Sequence, residues 1–364
     1  MIDDSATNAA VRRATPAMNP QSTTSTRTDR SPTPRGVTRV LVDSDGGVDD
    51  VAALWYLLVR DDVVVAGITV TAGNVDVATA ADNLARVCQL AGVDVPIALG
   101  DGGAYGPHPQ LRPADFIHGV DGVGDTGRRP RPWSPDPRPA IDLIADVVTD
   151  RPGEVVLVTL GPLTNAARFV DAHPHAVGLV DRLVVMGGTT ACHGNALPIG
   201  EANIAHDPSA AATVATAPWS RPPMLVGLDV TLQATLTEAE FELLAEERSA
   251  AAADLHVPLA FYRRHGGTFS PPGEFPCHDL TAAIVAIEPD LVSAPVLPLG
   301  VDTSGGLAWG TTVVDRRRPF FERAGPGSTQ SLPAGMADWQ VCLDIDVAAT
   351  RARYRRLFDH EERA

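Results

Sequence analysis

Four carboxylates stand within eight residues, Asp43-Ser-Asp45-Gly-Gly-Val-Asp49-Asp50, directly after the apolar run Val40-Leu41-Val42. Acids gathered at the end of a buried strand repel one another and resist desolvation unless a bound cation or a set of hydroxyl donors compensates them. Oxygen donors with no Cys or His beside them suit a hard ion, Ca²⁺ or Mg²⁺, better than Zn²⁺. A plainer account covers half of the cluster: Asp49 and Asp50 fall where a helix should start, and the positive end of a helix dipole favours acids as caps. Capping leaves Asp43 and Asp45 unexplained, so a functional site is the expectation.

The elements that must hold these acids follow from periodicity. Arg39–Val42 reads as a short buried strand, Gly46-Gly47 permits a tight turn, and Val51, Leu54, Trp55 and Leu58 recur at helical spacing, so a helix should begin near Asp49. Beyond it, apolar runs alternate with helical patterns. Strands are predicted over 63–70, 95–99, 155–160, 182–186 and 224–228, and helices over 75–90, 141–149, 163–172 and 208–217. Residues 238–265 read as mainly helical and 279–287 as a further helix. Segments 296–301, 309–314 and 341–345 read as closing strands before a C-terminal helix. Such alternation implies an α/β fold with an open, mostly parallel central sheet and helices on both faces. No Pro/Gly/Ser linker interrupts it, so residues 37–364 should form a single domain, while residues 1–36, polar and without hydrophobic periodicity, read as a disordered tail. In such sheets ligands bind beyond the carboxyl ends of the strands. The acids, Thr71-Ala-Gly-Asn74, Leu160-Gly-Pro and the stretch from Gly187 to Asn203 all follow predicted strands and could face one crevice.

Composition removes several classes. The net charge of −16 disfavours nucleic acid as a partner, because that binding needs clustered cations. No apolar stretch is long enough to span a membrane. All 29 basic residues are Arg, which excludes Schiff-base chemistry and a phosphate-binding Walker lysine. Cys88, Cys192, Cys277 and Cys342 show no paired spacing, which fits a reducing cytoplasm, and Cys88 and Cys342 read as small buried hydrophobes.

The remaining polar positions are weak one at a time. Asn74 could simply form a turn, Asp279 could be an N-cap, and His118, in a Gly-rich loop, could be solvated. Glu201-Ala-Asn203, if extended, would point both polar side chains the same way. In order, however, D-x-D-G-G-V-D-D, A-G-N, L-G-P-L-T-N at 160–165, M-G-G at 186–188, G-N…E-x-N at 194–203 and H-D at 278–279 resemble the inosine-uridine type nucleoside hydrolases, over roughly Val37 to the C-terminus.

This resemblance implies a Rossmann-related fold, a Ca²⁺ cofactor, a small-molecule ribonucleoside substrate and a homodimer or homotetramer. Position by position it implies that Asp45, Asp50, Asp279 and the main-chain carbonyl of Leu160 are the metal ligands, with Asp45 also the base toward the metal-bound water. It gives Asp49 the ribose hydroxyls, and gives Asn74, Asn195, Glu201 and Asn203 the sugar. His278 and His118 would stand near the departing base, with His278 assisting it, and Tyr262 matches an aromatic of the base pocket. The chemistry is coherent in its own terms. Breaking a ribosyl C–N bond develops oxocarbenium character, so water must be positioned and activated, the hydroxyls held and the leaving base stabilised, for which an imidazole titrating near neutrality is suited. Two departures stand out: Gly46 replaces a usual Pro, which should loosen the first loop, and Gly266 stands where a second Tyr often lies, with His265 beside it as a possible compensation. Two alternatives remain at this stage. Asp43-x-Asp45 after a strand also resembles the acid pair of haloacid-dehalogenase phosphatases, although no Lys follows to meet phosphate charge, and a degenerate nucleoside-binding relative would keep the fold without turnover.

Overall fold

Val40 and Val42 enter one hydrophobic core and Leu41 enters another, so the run Val40–Val42 within the first strand, β1 (Thr38–Ser44), is apolar at consecutive positions because both faces of its sheet are covered. The computed structural model describes residues 36–111, 114–246, 250–266, 272–317 and 333–355. The tail expected over residues 1–36 lies, apart from Gly36, outside the described residues. From Gly36 onward the chain forms one compact unit.

The remaining strands are β2 (Val63–Val70), β3 (Ile97–Leu99), β4 (Val155–Thr159), β5 (Arg182–Met186), β6 (Met224–Val226), β7 (Thr235–Thr237), β8 (Glu274–Pro276), β9 (Val292–Ser293), β10 (Val296–Val301), β11 (Thr312–Val314), β12 (Ala337–Val341) and β13 (Asp344–Ile345). The helices are α1 (Val48–Leu58), α2 (Val77–Ala91), α3 (Asp115–His118), α4 (Ala140–Asp150), α5 (Thr164–Ala172), α6 (Pro174–Val177), α7 (Ala202–His206), α8 (Pro208–Thr216), α9 (Leu228–Thr231), α10 (Glu238–Glu246), α11 (Ala250–Gly266), α12 (His278–Ile287) and α13 (Val347–Arg355). The main sheet runs β11-β10-β12-β6-β5-β4-β1-β2-β3. Its strands from β3 to β6 pair in parallel, as does β12 with β6, and only β10 runs antiparallel to its two neighbours. Chain direction across the sheet reverses between β1 and β4, and a ligand crevice forms outside the carboxyl ends of such a pair.

One core lies under α1, α2 and α12, the other under α4, α5 and α8. Every residue of α1 is buried, and so is α12 from Asp279 to Ile287; helices apolar all round belong inside a protein, and these two pack together. Cys88 and Cys342 are buried in that first core. Two of the closing strands differ from the periodic pattern. Segment 341–345 is divided between β12 in the main sheet and β13, which pairs with β9, and 309–314 is a strand only from Thr312. Gly310, at φ 78°, and the turn bonds of Trp309 and Thr311 to Gly306 and Ala308 use those residues to reverse the chain. Among the described residues no helix is long and apolar enough to cross a membrane.

Because Leu57 is fully enclosed between the sheet and its neighbouring helices, Leu57→Ala is expected to destabilise the fold by about 2–5 kcal/mol in denaturant unfolding. A loss under about 1 kcal/mol would contradict α1 as the centre of the core.

Candidate active site

The acid segment is assembled by its own backbone. Asp43 is the last residue but one of β1, where its register neighbours are Thr69 and Thr159. Its Oδ1 accepts from Thr69 Oγ1 at 2.6 Å and from Asn165 Nδ2 at 2.8 Å, and burial pushes the carboxyl up to about 7. That carboxylate supports the strand ends and stands outside the cavity, so it is no exposed nucleophile for phosphoryl transfer. One turn on, Asp50 folds back over the start of α1. Gly47 N donates to its Oδ2 at 2.9 Å and Ser44 Oγ to its Oδ1 at 2.6 Å.

Gly46, where the resembling family usually has Pro, is closely packed. Its φ is 68°, a left-handed value that proline, fixed near −65°, cannot take, and a Cβ there would sit 2.5 Å from the Ala80 Cα. The Gly46 carbonyl is held by Asn83 Nδ2 at 2.9 Å, which also holds the Asp121 carbonyl at 2.9 Å.

Asp45, Asp49, Asp50 and Asp279 then converge. Carboxylate oxygens of Asp49, Asp50 and Asp279 lie within 4.8 Å of one another. Asp45 and Asp279 each come within hydrogen-bonding reach of Asp50. Asn74 closes over Asp45, its N donating to Oδ2 at 2.8 Å and its Nδ2 to Oδ1 at 2.9 Å. Only glycine fits before it, since a Cβ on Gly73 would stand 2.0 Å from Asp45 Oδ2. Asp49 Oδ2 receives His278 N at 3.1 Å, Asp279 N at 3.4 Å and the Tyr262 hydroxyl at 3.5 Å, and thus sits at the amino end of α12.

Burial first, and then mutual repulsion, pushes Asp45 and Asp279 well above the ordinary carboxylate range and Asp49 up to about 6. The charges acting on Asp45 and Asp279 are one another's and their acidic neighbours', with no arginine among them. A buried, all-oxygen set under this repulsion fits a hard divalent cation. Leu160, just past β4, lines the same cavity. Its N donates to Asp43 O at 2.7 Å and its carbonyl accepts from Asn203 Nδ2 at 2.7 Å.

The cavity above the acids has a volume of about 220 Å³. His118 closes one side, as the last residue of α3. It is buried rather than solvated, its Nδ1 accepts from Val48 N at 3.1 Å, and burial pushes its pKa down to about 4. The ring is therefore neutral at pH 7 with its proton on Nε2. Tyr262 lies beside it at 5.4 Å between ring centroids. His278 is anchored through Nδ1 to Thr231 Oγ1 at 2.7 Å, and burial lowers its pKa as well. His118 is thus a neutral, oriented ring and not an imidazole titrating near neutrality, because desolvation outweighs the nearby acids; His278 is oriented by Thr231 and shifted in the same direction.

On the opposite side Glu201 and Asn203 do not lie on an extended segment. Glu201 is the N-cap of α7: its oxygens accept from Gly188 N at 2.8 Å, Asn203 N at 2.9 Å and Ile204 N at 3.1 Å. Both residues still line the cavity, because the cap and the second helical position share that end of α7. Asn195 Oδ1 accepts from Ala202 N at 2.9 Å, which leaves its amide N–H groups as donors. The side chains of His265 and Gly266 lie outside the described residues. The sequence pattern assigned no place to His206, Phe116 and Ile117 in the cavity wall, nor to Asn83 and Thr231 behind it. Asn83 alone left a signal, a polar residue on the apolar face formed by Ala80, Leu84 and Val87.

Comparison with known proteins agrees with this geometry. The model of the inosine-uridine preferring nucleoside hydrolase family matches residues 40–352. A probable uridine nucleosidase 2 of Arabidopsis thaliana is 32% identical over 288 residues, 79% of this chain and 88% of the relative. A plant nucleoside hydrolase structure superposes with a TM-score of 0.81 at 27% identity, covering 89% of this chain and all of that one. A purine-preferring ribonucleoside hydrolase from Gardnerella vaginalis gives 0.76 at 30% identity, covering 88% and 98%. The chain accordingly belongs to the inosine-uridine preferring nucleoside hydrolases, glycosidases that cleave ribonucleosides.

Proposed function

We propose that this chain hydrolyses the N-glycosidic bond of ribonucleosides in a Ca²⁺-dependent reaction, releasing free base and ribose. The observation that carries the proposal is the meeting of Asp45, Asp49, Asp50 and Asp279 beside a cavity that Asp49 and Asp279 line together with His118, Tyr262 and His278. Asp45, Asp50, Asp279 and the Leu160 carbonyl would hold the ion. When bound, it supplies Lewis-acid polarisation of water and an anchor for the vicinal diol of ribose.

The chain's own residues do the rest. Asp45 takes a proton from the attacking water, a task suited to a carboxylate whose proton affinity is raised. Asp49 accepts from a ribose hydroxyl. Asn74 spends its donors on Asp45 and, at 3.4 Å, on Asp50 Oδ2, so its Oδ1 is the atom left for the sugar. Asn195, Glu201 and Asn203 position the rest of the ribose. The C1′–N bond breaks with its electron pair going to the base while the water oxygen bonds C1′. His278, with His118 and Tyr262 around the base, donates toward the departing ring. The wall includes the apolar Phe116 and Ile117, and this chain is similar to relatives named for uridine and for purines, so both base classes are substrates to test. Among the described residues the cysteines are free thiols, which supports a cytoplasmic setting. A homodimer or homotetramer is the expected assembly, measurable by light scattering.

Asp45→Asn should lower ribose release from uridine or inosine by at least about a thousandfold, the scale of losing a general base in a metal-assisted hydrolysis. Near-normal turnover would remove Asp45 from that role. For His278→Ala the defect should be largest with poor leaving groups and small with an activated nitrophenyl riboside; equal losses on both would argue against donation to the base.

Stability should report the ion independently of activity. Asp43 and Asp49, at about 7 and about 6, bind protons more tightly folded than unfolded, where 3.8 applies. Their contribution is complete below that value and is lost as pH rises through 6 and 7. Chelated protein should therefore melt at lower temperature at pH about 7.5 than at about 5, and added Ca²⁺ should restore the loss. Equal melting at both values with no response to Ca²⁺ would contradict a cation site built on these acids.

A further inference from the structure

A polar side chain buried on the apolar face of a helix costs free energy unless its hydrogen bonds are made. Asn83 is such a residue: it stands on the face of α2 formed by Ala80, Leu84 and Val87 and is 5% exposed. Its Nδ2 donates to the Gly46 carbonyl and to the Asp121 carbonyl, each at 2.9 Å. Turning the amide over would set Oδ1 against two acceptors, so the carbonyls fix which end faces them. Among the described residues no other group donates to either carbonyl.

These carbonyls belong to different parts of the site. Gly46 follows Asp45 in the acid loop, and Asp121 stands three residues after His118. The segment from His118 to Gly127 is folded on itself. Asp121 Oδ1 accepts from Val123 N at 2.9 Å and Asp125 N at 2.8 Å, its Oδ2 from Gly127 N at 3.0 Å, and Asp125 Oδ1 from Val120 N at 2.7 Å. Gly124 N returns to the His118 carbonyl at 2.7 Å. Cross-bonded in this way, the loop passes the placement of Asp121 on to His118.

The His118 loop lies directly against the acid loop. A Cβ on Gly122 would stand 3.0 Å from Asn83 Nδ2 and 3.2 Å from the Gly46 carbonyl oxygen, and one on Gly47 would stand 2.8 Å from His118 Nδ1. Apart from Asn83, the hydrogen bond that joins the two loops among the described residues is Val48 N to His118 Nδ1. One such bond lets the loop pivot about it, and a second one at Asp121 removes the pivot. Asn83 itself does not line the site cavity.

We propose, on the basis of the reaction proposed above, that Asn83 is a positioning residue: its amide keys the His118 loop to the acid loop and holds the base-side imidazole in register with the acids. It touches neither sugar nor base and acts through His118.

The test is a double-mutant cycle on kcat/KM for uridine with Asn83→Ala, His118→Ala and the two combined. Asn83→Ala alone should lose about tenfold, the scale of a buried hydrogen bond whose acceptors are left unpaired. Once residue 118 is alanine, the same change should cost less than about twofold. Equal losses in both backgrounds would mark a residue that merely supports the fold and overturn the proposal, as would a His118→Ala chain of near-normal turnover, which leaves nothing to position. A second readout separates the two carbonyls. Ser44 and Gly47 hold Asp50, and Asn74 holds Asp45, without Asn83. The Ca²⁺ concentration giving half of the rise in melting temperature should therefore shift by less than about twofold in Asn83→Ala. A larger shift would make Asn83 a support of the acid loop and overturn its role toward His118. If Asn83→Ala fails to fold, Asp121→Ala, at a half-buried site where it breaks the internal bonds of the loop, takes its place in the cycle with the same expected pattern, and additivity with His118→Ala overturns the proposal. With uridine turned over by the wild-type chain, these results bear on Asn83 alone, whereas a wild-type chain that cleaves neither uridine nor inosine overturns the proposed reaction with it.

Discussion

Burying Asp45, Asp49, Asp50 and Asp279 against one another costs free energy that no arginine offsets, and the surrounding structure is arranged around that cost. Donors converge on the acids from separate elements: Ser44 and Gly47 on Asp50, Asn74 on Asp45, and the first amides of α12 with Tyr262 on Asp49. These bonds orient the carboxylates without neutralising them. A site of raised proton affinity and free oxygen lone pairs results, which is what a hard cation and a proton-abstracting base both need.

The same constraint explains the close packing around the acid loop. Gly46 takes a left-handed conformation against Ala80, and Gly73 passes so near Asp45 that no side chain could stand there. α1 and α12, both buried, bring Asp49, Asp50 and Asp279 together from opposite ends of the chain, and a packed pair of apolar helices is a rigid way to hold like charges in place. The two imidazoles show a related economy. His118 and His278 are each tied by Nδ1 to the protein, so desolvation lowers the pKa of both and the hydrogen bond fixes which nitrogen faces the cavity.

Much of this was legible in the amino-acid sequence because the signals were local. An apolar run followed by acids and a Gly pair marks a strand, a loop and a helix start, and β1, α1 and the acids stand where that pattern puts them. The parallel sheet followed from the alternation of apolar runs and helical stripes. Local pattern misled where a residue serves two purposes. Glu201-Ala-Asn203 has the period of a strand, yet Glu201 caps a helix, and a His at the head of a Gly-rich loop looked solvated although α11 and α1 enclose it. Residues 341–345 form a nearly continuous apolar run that two separate sheets divide between them.

By itself the sequence determined the fold class, the acid cluster and the order of motifs that marks the family, since each depends on neighbours along the chain. Tertiary structure alone decided that Asp279 joins Asp45 and Asp50, that Asn74 closes over Asp45, and that burial lowers the pKa of both imidazoles. Desolvation and mutual repulsion act through space over a few ångströms, and no spacing in sequence encodes which distant side chains come that close.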